Sequence, residues 1–310
     1  MRTACIQVLM SLVAIFASLY LMELHYLAAE LQKISAVSIA ALIVLNMLSI
    51  LLLTIRWILI QRRFLGAEAK AKSSIIASYW SSYIYNIITP ANLGGDLYRY
   101  LSLKGDGWGG AQVLEQLIQE RLVGLCSILA VLTISLVCLL WIDGANLPYG
   151  DVLLAGSAIF SFATSAMVIS PRTIFQKVLS LLPLTVWHFS VANRIGKASG
   201  ISHFVRIFSL SFFSFIFWLF SIKVVCVSMS IHIPFQNIMF IGALVEVIRF
   251  VPLSVQGIGI REGIFASLFI LMDSSAELGF AVGLIVYASL IVAQILFGIL
   301  GKALLIKQHA

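Results

Sequence analysis

Pro90-Ala91-Asn92-Leu93-Gly94-Gly95-Asp96-Leu97-Tyr98-Arg99 sets a helix breaker, a glycine pair, a carboxylate and a guanidinium inside an otherwise apolar run. In water such a segment is an ordinary loop. Between membrane-grade segments it is not, because each unpaired backbone group there costs several kcal/mol. A second stretch of this kind lies 162 residues later, Pro252-Leu253-Ser254-Val255-Gln256-Gly257-Ile258-Gly259-Ile260-Arg261-Glu262-Gly263. Both begin at Pro, pass two glycines, and reach Arg nine residues after the Pro.

The surroundings are membrane-grade throughout. Of 310 residues, 61% are hydrophobic and 11% charged, with a mean hydropathy of +1.06. A soluble domain of this length has too little interior to hide that apolar surface, so residues 1–310 read as one polytopic transmembrane domain. The net charge of +7 fits cytoplasmic loops against anionic membrane lipids, and no nucleic-acid partner is expected. Cys5, Cys126, Cys138 and Cys226 all lie in apolar runs without a C-x-x-C pair. That pattern points to packing and away from a disulfide frame or a metal site.

Segments of spanning length, about 17–25 residues, are 5–24, 35–55, 113–140, 152–169, 207–229 and 278–300. No A-x-A-like site follows 5–22 before Glu23, so the first is read as a span and not as a signal peptide. Between them, 73–103 and 237–273 are each split at the glycine motif into pieces too short or too polar to span alone. The expected fold is all-α: six full spans plus two broken or re-entrant helix pairs. Residues 1–141 and 152–300 then repeat one order: span, span, broken pair, span. An odd number of full crossings inverts the second half, and interrupted segments at matching places in inverted repeats point to a transporter site near the midplane. Within 170–206, Ile174, Val178, Leu181 and Leu182 recur at helical spacing beside Gln176 and Lys177, as in a helix lying in the cytoplasmic interface.

Charge orients the chain. Arg56, Arg62, Arg63, Lys70 and Lys72 cluster in 56–72, and Arg172, Lys177, Arg194, Lys197 and Arg206 in 170–206. With both termini cytoplasmic, 15 Lys and Arg fall on the cytoplasmic side, Arg99 among them, and Lys33 alone in an outside loop. That bias follows the positive-inside rule.

Glycine pairs at a half-helix tip let backbone N–H groups face an anion without Cβ obstruction, and a nearby Arg adds a fork suited to phosphate. Gly94, Gly95 and Arg99, with Gly257, Gly259 and Arg261, are therefore candidates for holding a lipid phosphate. A compatible reading is that the glycines permit tight turns while Arg99 and Arg261 pair with Asp96 and Glu262. Glu120 and Arg121 fall near the cytoplasmic edge of their span. As helix neighbours they do not face each other, so each needs its own partner, and Asp96 or Arg99 could supply one. Glu246 and Arg249, three apart, can pair on one helix. Tyr79, Trp80, Tyr83, Tyr85 and Asn86 suit a cavity wall or an interfacial belt. H-E-x-x-H, G-x-S-x-G, a P-loop and an Asp-rich cluster are all missing, so no catalytic residue, metal or cofactor is expected.

At these residues the chain resembles the lysylphosphatidylglycerol synthase transmembrane-region family, the flippase-like module of the bacterial multiple peptide resistance factors. That family shows a P-x-x-x-G-G-D-x-x-R segment, matched by Pro90, Gly94, Gly95, Asp96 and Arg99. It also shows an E-R pair in the next span, matched by Glu120 and Arg121, and a late segment matched by Pro252, Ser254, Gly257, Gly259, Arg261, Glu262 and Gly263. The resemblance implies an inner-membrane relative of flippases of aminoacylated phospholipids or polyprenyl-phosphate-linked sugars. The full resistance factors carry a cytosolic aminoacyltransferase domain after the membrane region, whereas this chain stops at Ala310. Synthesis of lysyl-lipid by the chain itself is therefore not expected.

Together these readings describe a non-enzymatic membrane protein that binds and flips a phosphate-bearing lipid. Arg99 and Arg261 contact phosphate, the glycine tips donate N–H groups, and Asp96, Glu120 and Glu262 position the arginines. The alternatives are an integral-membrane transferase acting on a lipid phosphate, or a non-transporting accessory subunit beside a partner enzyme of lipid or glycan synthesis.

Overall fold

A computed structural model describes residues 32–65, 72–87, 89, 92–105, 108–142, 150–169, 200–249 and 259–309. The expected span 5–24, most of the expected interfacial segment 170–206, and Gly257 lie outside these. Among the described residues all regular structure is helical. The order is α1 Ala36–Leu65, α2 Lys72–Ile87, α3 Leu93–Gly105, α4 Gly110–Val137, α5 Gly150–Ile169, α6 Ile201–Ser228, α7 Phe235–Arg249, α8 Ile260–Ile270 and α9 Ala276–His309. A π-helical turn, Cys138–Ile142, extends α4. Helices follow directly from the solvent, since in lipid every backbone group must find its partner within its own segment.

Among the described residues four helices are long and apolar enough to cross a membrane: Ala36–Arg63, Gly110–Trp141, Ile201–Ser228 and Ala276–Lys307. The 34 residues of α9 rise about 50 Å, well over the ~30 Å hydrocarbon core. The fifth apolar helix, Gly150–Ala166, is shorter. Residues 201–206, expected in an interfacial segment, instead form the first turns of α6.

The two interrupted regions each resolve into two short helices. In the first, α2 has 16 residues and α3 has 13. In the second, α7 has 15 and α8 has 11. At 1.5 Å per residue these are about 16–24 Å long, too short to span alone. Positive backbone angles mark both breaks, φ 58° at Asn92 and 82° at Gly259. α3 is sharply two-faced: Leu93, Leu97 and Leu101 are exposed, whereas Gly95, Arg99 and Leu103 are buried. Fourfold spacing on each set gives one lipid stripe and one interior stripe.

Long, short, short, long therefore occurs twice, as α1–α4 and as α6–α9. Packing crosses between these sets: α1 lies on α6, α2 on α9, and α7 on α4. The α2–α9 contact is close because glycine lines it. A Cβ at Gly301 would sit 2.5 Å from the Ser81 nitrogen and 2.9 Å from the Ala77 carbonyl oxygen, the small-residue contact by which helices approach in lipid. The main apolar core joins α4, α6, α7, α8 and α9 around Leu136, Leu219, Ile241 and Phe269. A second core gathers Trp57, Tyr79 and Tyr83 with Phe297. Val37, Phe162, Val227 and Ile306 stay exposed, as lipid-facing side chains do.

Two residues assigned to cytoplasmic loops belong elsewhere. Arg56 is buried within α1 and Arg99 within α3.

Candidate functional site

The break after α2 is closed by its own side chains. Gly94 N–H donates to Thr89 Oγ1 at 2.8 Å, and Gly95 N–H to Asn86 Oδ1 at 2.9 Å. A Cβ on Gly94 would fall 2.6 Å from the Tyr85 carbonyl oxygen, and one on Gly95 2.2 Å from Asn86 Oδ1. The glycines let α3 start against the end of α2. This corrects the expectation that their N–H groups face an anion, because both donors are already taken.

That close start brings α3 against α4. Asp96 and Arg99, one turn apart on α3, pair with each other and with adjacent residues of α4. Arg99 meets Glu120 through Nη1, while Arg121 reaches Asp96 Oδ2 through Nε at 2.9 Å and Nη2 at 2.5 Å. Two further elements close on Glu120. Arg56 Nη2 of α1 lies 2.7 Å from Glu120 Oε1, and the Tyr79 hydroxyl of α2 donates to the same oxygen at 3.2 Å. Arg56 Nη1 also donates to Ser211 Oγ of α6 at 2.8 Å. The Arg99 guanidinium carbon sits 4.5 Å from the Trp57 ring centre and 5.1 Å from that of Tyr79, within cation–π range. Moving such charges out of water costs several kcal/mol each, and only dense, well-aligned pairing offsets it.

The second break is built differently. Gly259 N–H donates to Glu262 Oε2 at 2.6 Å, so Glu262 caps the start of α8. Arg261 is 2% exposed, with its guanidinium carbon 3.5 Å from the Tyr287 ring centre. The Tyr287 hydroxyl donates to Glu246 Oε1 at 2.9 Å, and Glu246 Oε2 pairs with Arg249 Nη2 at 2.6 Å. The expected on-helix pair of Glu246 and Arg249 is therefore present. An arginine over a tyrosine whose hydroxyl holds a glutamate thus occurs twice. The tyrosines stand on the packed pair α2 and α9, and the glutamates on the packed pair α4 and α7.

Both units border one cavity of about 230 Å³. Among the described residues its walls carry four guanidiniums, Arg56, Arg99, Arg121 and Arg249, against three carboxylates, Asp96, Glu120 and Glu246. Tyr79, Tyr83 and Asn86 also line it, whereas Trp80 and Tyr85 do not. Arg261 and Gly259 are not among the described residues that line this cavity, and the Tyr287 ring covers the Arg261 guanidinium. The least buried wall cations are Arg121, with 34% of its side chain exposed, and Arg249, with 23%. Among the described residues no three His, Cys, Asp or Glu side chains meet closely enough to hold a metal ion.

Sequence reasoning missed Arg56 and Tyr287. For Arg56 a signal exists: it is the lone charge in the apolar run 50–61, and a charge at such depth needs a buried partner. Tyr287 carries no comparable mark.

The fold and the site define a multi-pass helical membrane protein with a charged cavity inside its bundle. The family model for the lysylphosphatidylglycerol synthase TM region matches residues 5–298, and the chain belongs to that family. No curated protein matches it.

Proposed function

We propose that the chain binds a phosphate-bearing lipid by its headgroup and flips it across the bacterial inner membrane, without catalysing a covalent change. The supporting observation is the cavity wall, with its excess of guanidinium over carboxylate and two of its arginines partly open. At about 230 Å³ it lies below the ~300–1,000 Å³ usual for drug-sized ligands. That volume suits a headgroup, and leaves acyl chains to the surrounding lipid.

In this reading Arg121 and Arg249 take the phosphate, while Arg56, Arg99 and Glu120 form the frame. An incoming phosphate displaces Asp96 from Arg121 and Glu246 from Arg249. Asp96 keeps Arg99, and Glu246 keeps the Tyr287 hydroxyl. One anion replaces another, so most of the desolvation cost of each cation is already met. The exchanged packing of the two long–short–short–long sets supports an inverted repeat of 1–141 and 152–300 about the cavity, and the Lys and Arg bias of the sequence supports cytoplasmic termini. Movement then separates the α2–α9 pair from the α4–α7 pair, between which the charges lie.

The test is purified protein in liposomes carrying fluorescent phosphatidylglycerol, read by quenching with an impermeant reductant. Inner-leaflet lipid should become accessible with the parent and lose that access with Arg121→Leu and Arg249→Leu. A covalently altered lipid product would favour the transferase reading. Lipid neither bound nor moved would favour the accessory subunit.

A further inference from the structure

Lys302 of α9 is a partly exposed cation that does not line the cavity. Its amine donates to the Tyr85 hydroxyl of α2 at 3.1 Å. It also lies 5.0 Å from the ring centres of both Tyr85 and Tyr98, and those two rings stack 4.7 Å apart. Tyr98 belongs to α3, so three helices meet at one ammonium. Among the described residues no carboxylate pairs with Lys302. An ammonium has three N–H donors, and the bond to Tyr85 uses one of them. The rings hold the charge in place and leave two donors for an anion.

Depth and surroundings narrow that anion to a lipid. The 34 residues of α9 exceed the ~30 Å hydrocarbon core by about 20 Å, so a centred helix projects about 10 Å at each end. Lys302 precedes His309, the last residue of α9, by about 10 Å of helix rise. It therefore falls at the hydrocarbon edge, where the headgroup region begins. On α9, Ile295, Ile299 and Ile306 are exposed, and their three- and four-residue spacings put them on one stripe with Lys302. Ile295 and Ile299 lie on its core side, where an acyl chain runs. Leu93, Leu97 and Leu101 form the exposed stripe of α3 next to Tyr98. The geometry points to a docking site, made by Lys302, Tyr85 and Tyr98, for the phosphate of an anionic phospholipid on the bilayer face of the bundle. This site is separate from the headgroup cavity and does not depend on its reading.

The experiment titrates detergent-purified full chain with dioctanoyl phosphatidylglycerol or phosphatidylcholine and reads bound lipid by native mass spectrometry. The chain carries Arg121→Leu and Arg249→Leu, which removes the cavity's open cations. Phosphatidylglycerol should still bind. Adding Lys302→Met should weaken it about fivefold or more, the worth of one lysine beside an anionic headgroup. Lys302→Arg should stay within about twofold, since a guanidinium keeps the charge and stacks on the rings. Phosphatidylcholine should respond less than phosphatidylglycerol. The Tm of the lipid-free protein should hold in Lys302→Met, which keeps an apolar stem. A purely structural lysine would lower Tm and weaken both lipids alike. The same comparison in the parent chain, where Lys302→Met should retain one phosphatidylglycerol fewer, covers poor folding of the double-leucine variant. No phosphatidylglycerol on the double-leucine chain, or binding unmoved by Lys302→Met, overturns the site and leaves the cavity reading untouched. Displacement by inorganic phosphate at equal concentration overturns the lipid assignment in favour of a free anion.

Discussion

Arg56 Nη2 lies 2.7 Å from Glu120 Oε1, and that ion pair ties the middle of α1 to α4 across 64 residues of sequence. Glu120 is the hub of the charged cluster, because Arg99 and Tyr79 bind it as well. Four helices therefore share one carboxylate, and its two arginines are as deeply buried as it is.

Removing the hub should cost more than removing a spoke. Glu120→Leu leaves Arg56 without its carboxylate and Arg99 with Asp96 alone, a loss of about 3–5 kcal/mol of stability. Arg56→Leu leaves Glu120 still held by Arg99 and Tyr79 and should cost visibly less. Thermal unfolding of the purified variants in detergent gives the order, and equal losses would mean that Glu120 is not the organising charge.

Arg121 and Arg249 should separate binding from folding. Replacing either by Lys keeps the charge and loses the planar fork. Lipid movement should fall by about tenfold while Tm changes little, since both side chains are partly exposed. Full activity in both Lys variants would move the phosphate contact elsewhere on the wall.

The glycines divide by what surrounds them. Gly301→Ala drives a methyl to 2.5 Å from the backbone nitrogen of Ser81, and Gly94→Ala drives one to 2.6 Å from the Tyr85 carbonyl oxygen. Both should destabilise by about 1–3 kcal/mol, as overpacking does. Gly156, inside α5, has nothing within 4 Å of its added Cβ. Gly156→Ala should be neutral or gain up to about 1 kcal/mol from helix propensity. Comparing Tm across the three variants checks the α2–α9 and α2–α3 contacts directly.

Orientation is tested by labelling. In a chain stripped of native cysteines, single cysteines at positions 62 and 307 should be shielded from an impermeant thiol reagent in intact cells. One at position 151 should react. The reverse pattern would turn the protein over in the membrane and put the cavity's entry on the other side.

The helices and their breaks were legible in the residues alone. Lipid offers the backbone no partners, so an apolar run of about 20 residues has to be helical. A Pro followed by paired glycines and charges has to interrupt it, and the breaks at Asn92 and Gly259 fall inside the two motifs. Which charge meets which was not legible. Spacing predicted the Asp96–Arg99 and Glu246–Arg249 pairs, both one turn apart on a single helix, because local geometry settles such contacts. It could not predict that Arg56 would reach Glu120, that Glu262 would turn back to cap Gly259, or that a tyrosine ring would cover Arg261. Periodicity names the inward face of each helix but not the helix opposite. A buried charge takes its partner from that opposite helix, so only the packing of α1, α4, α7 and α9 around one cavity could decide which arginines are deeply buried and which stay partly exposed.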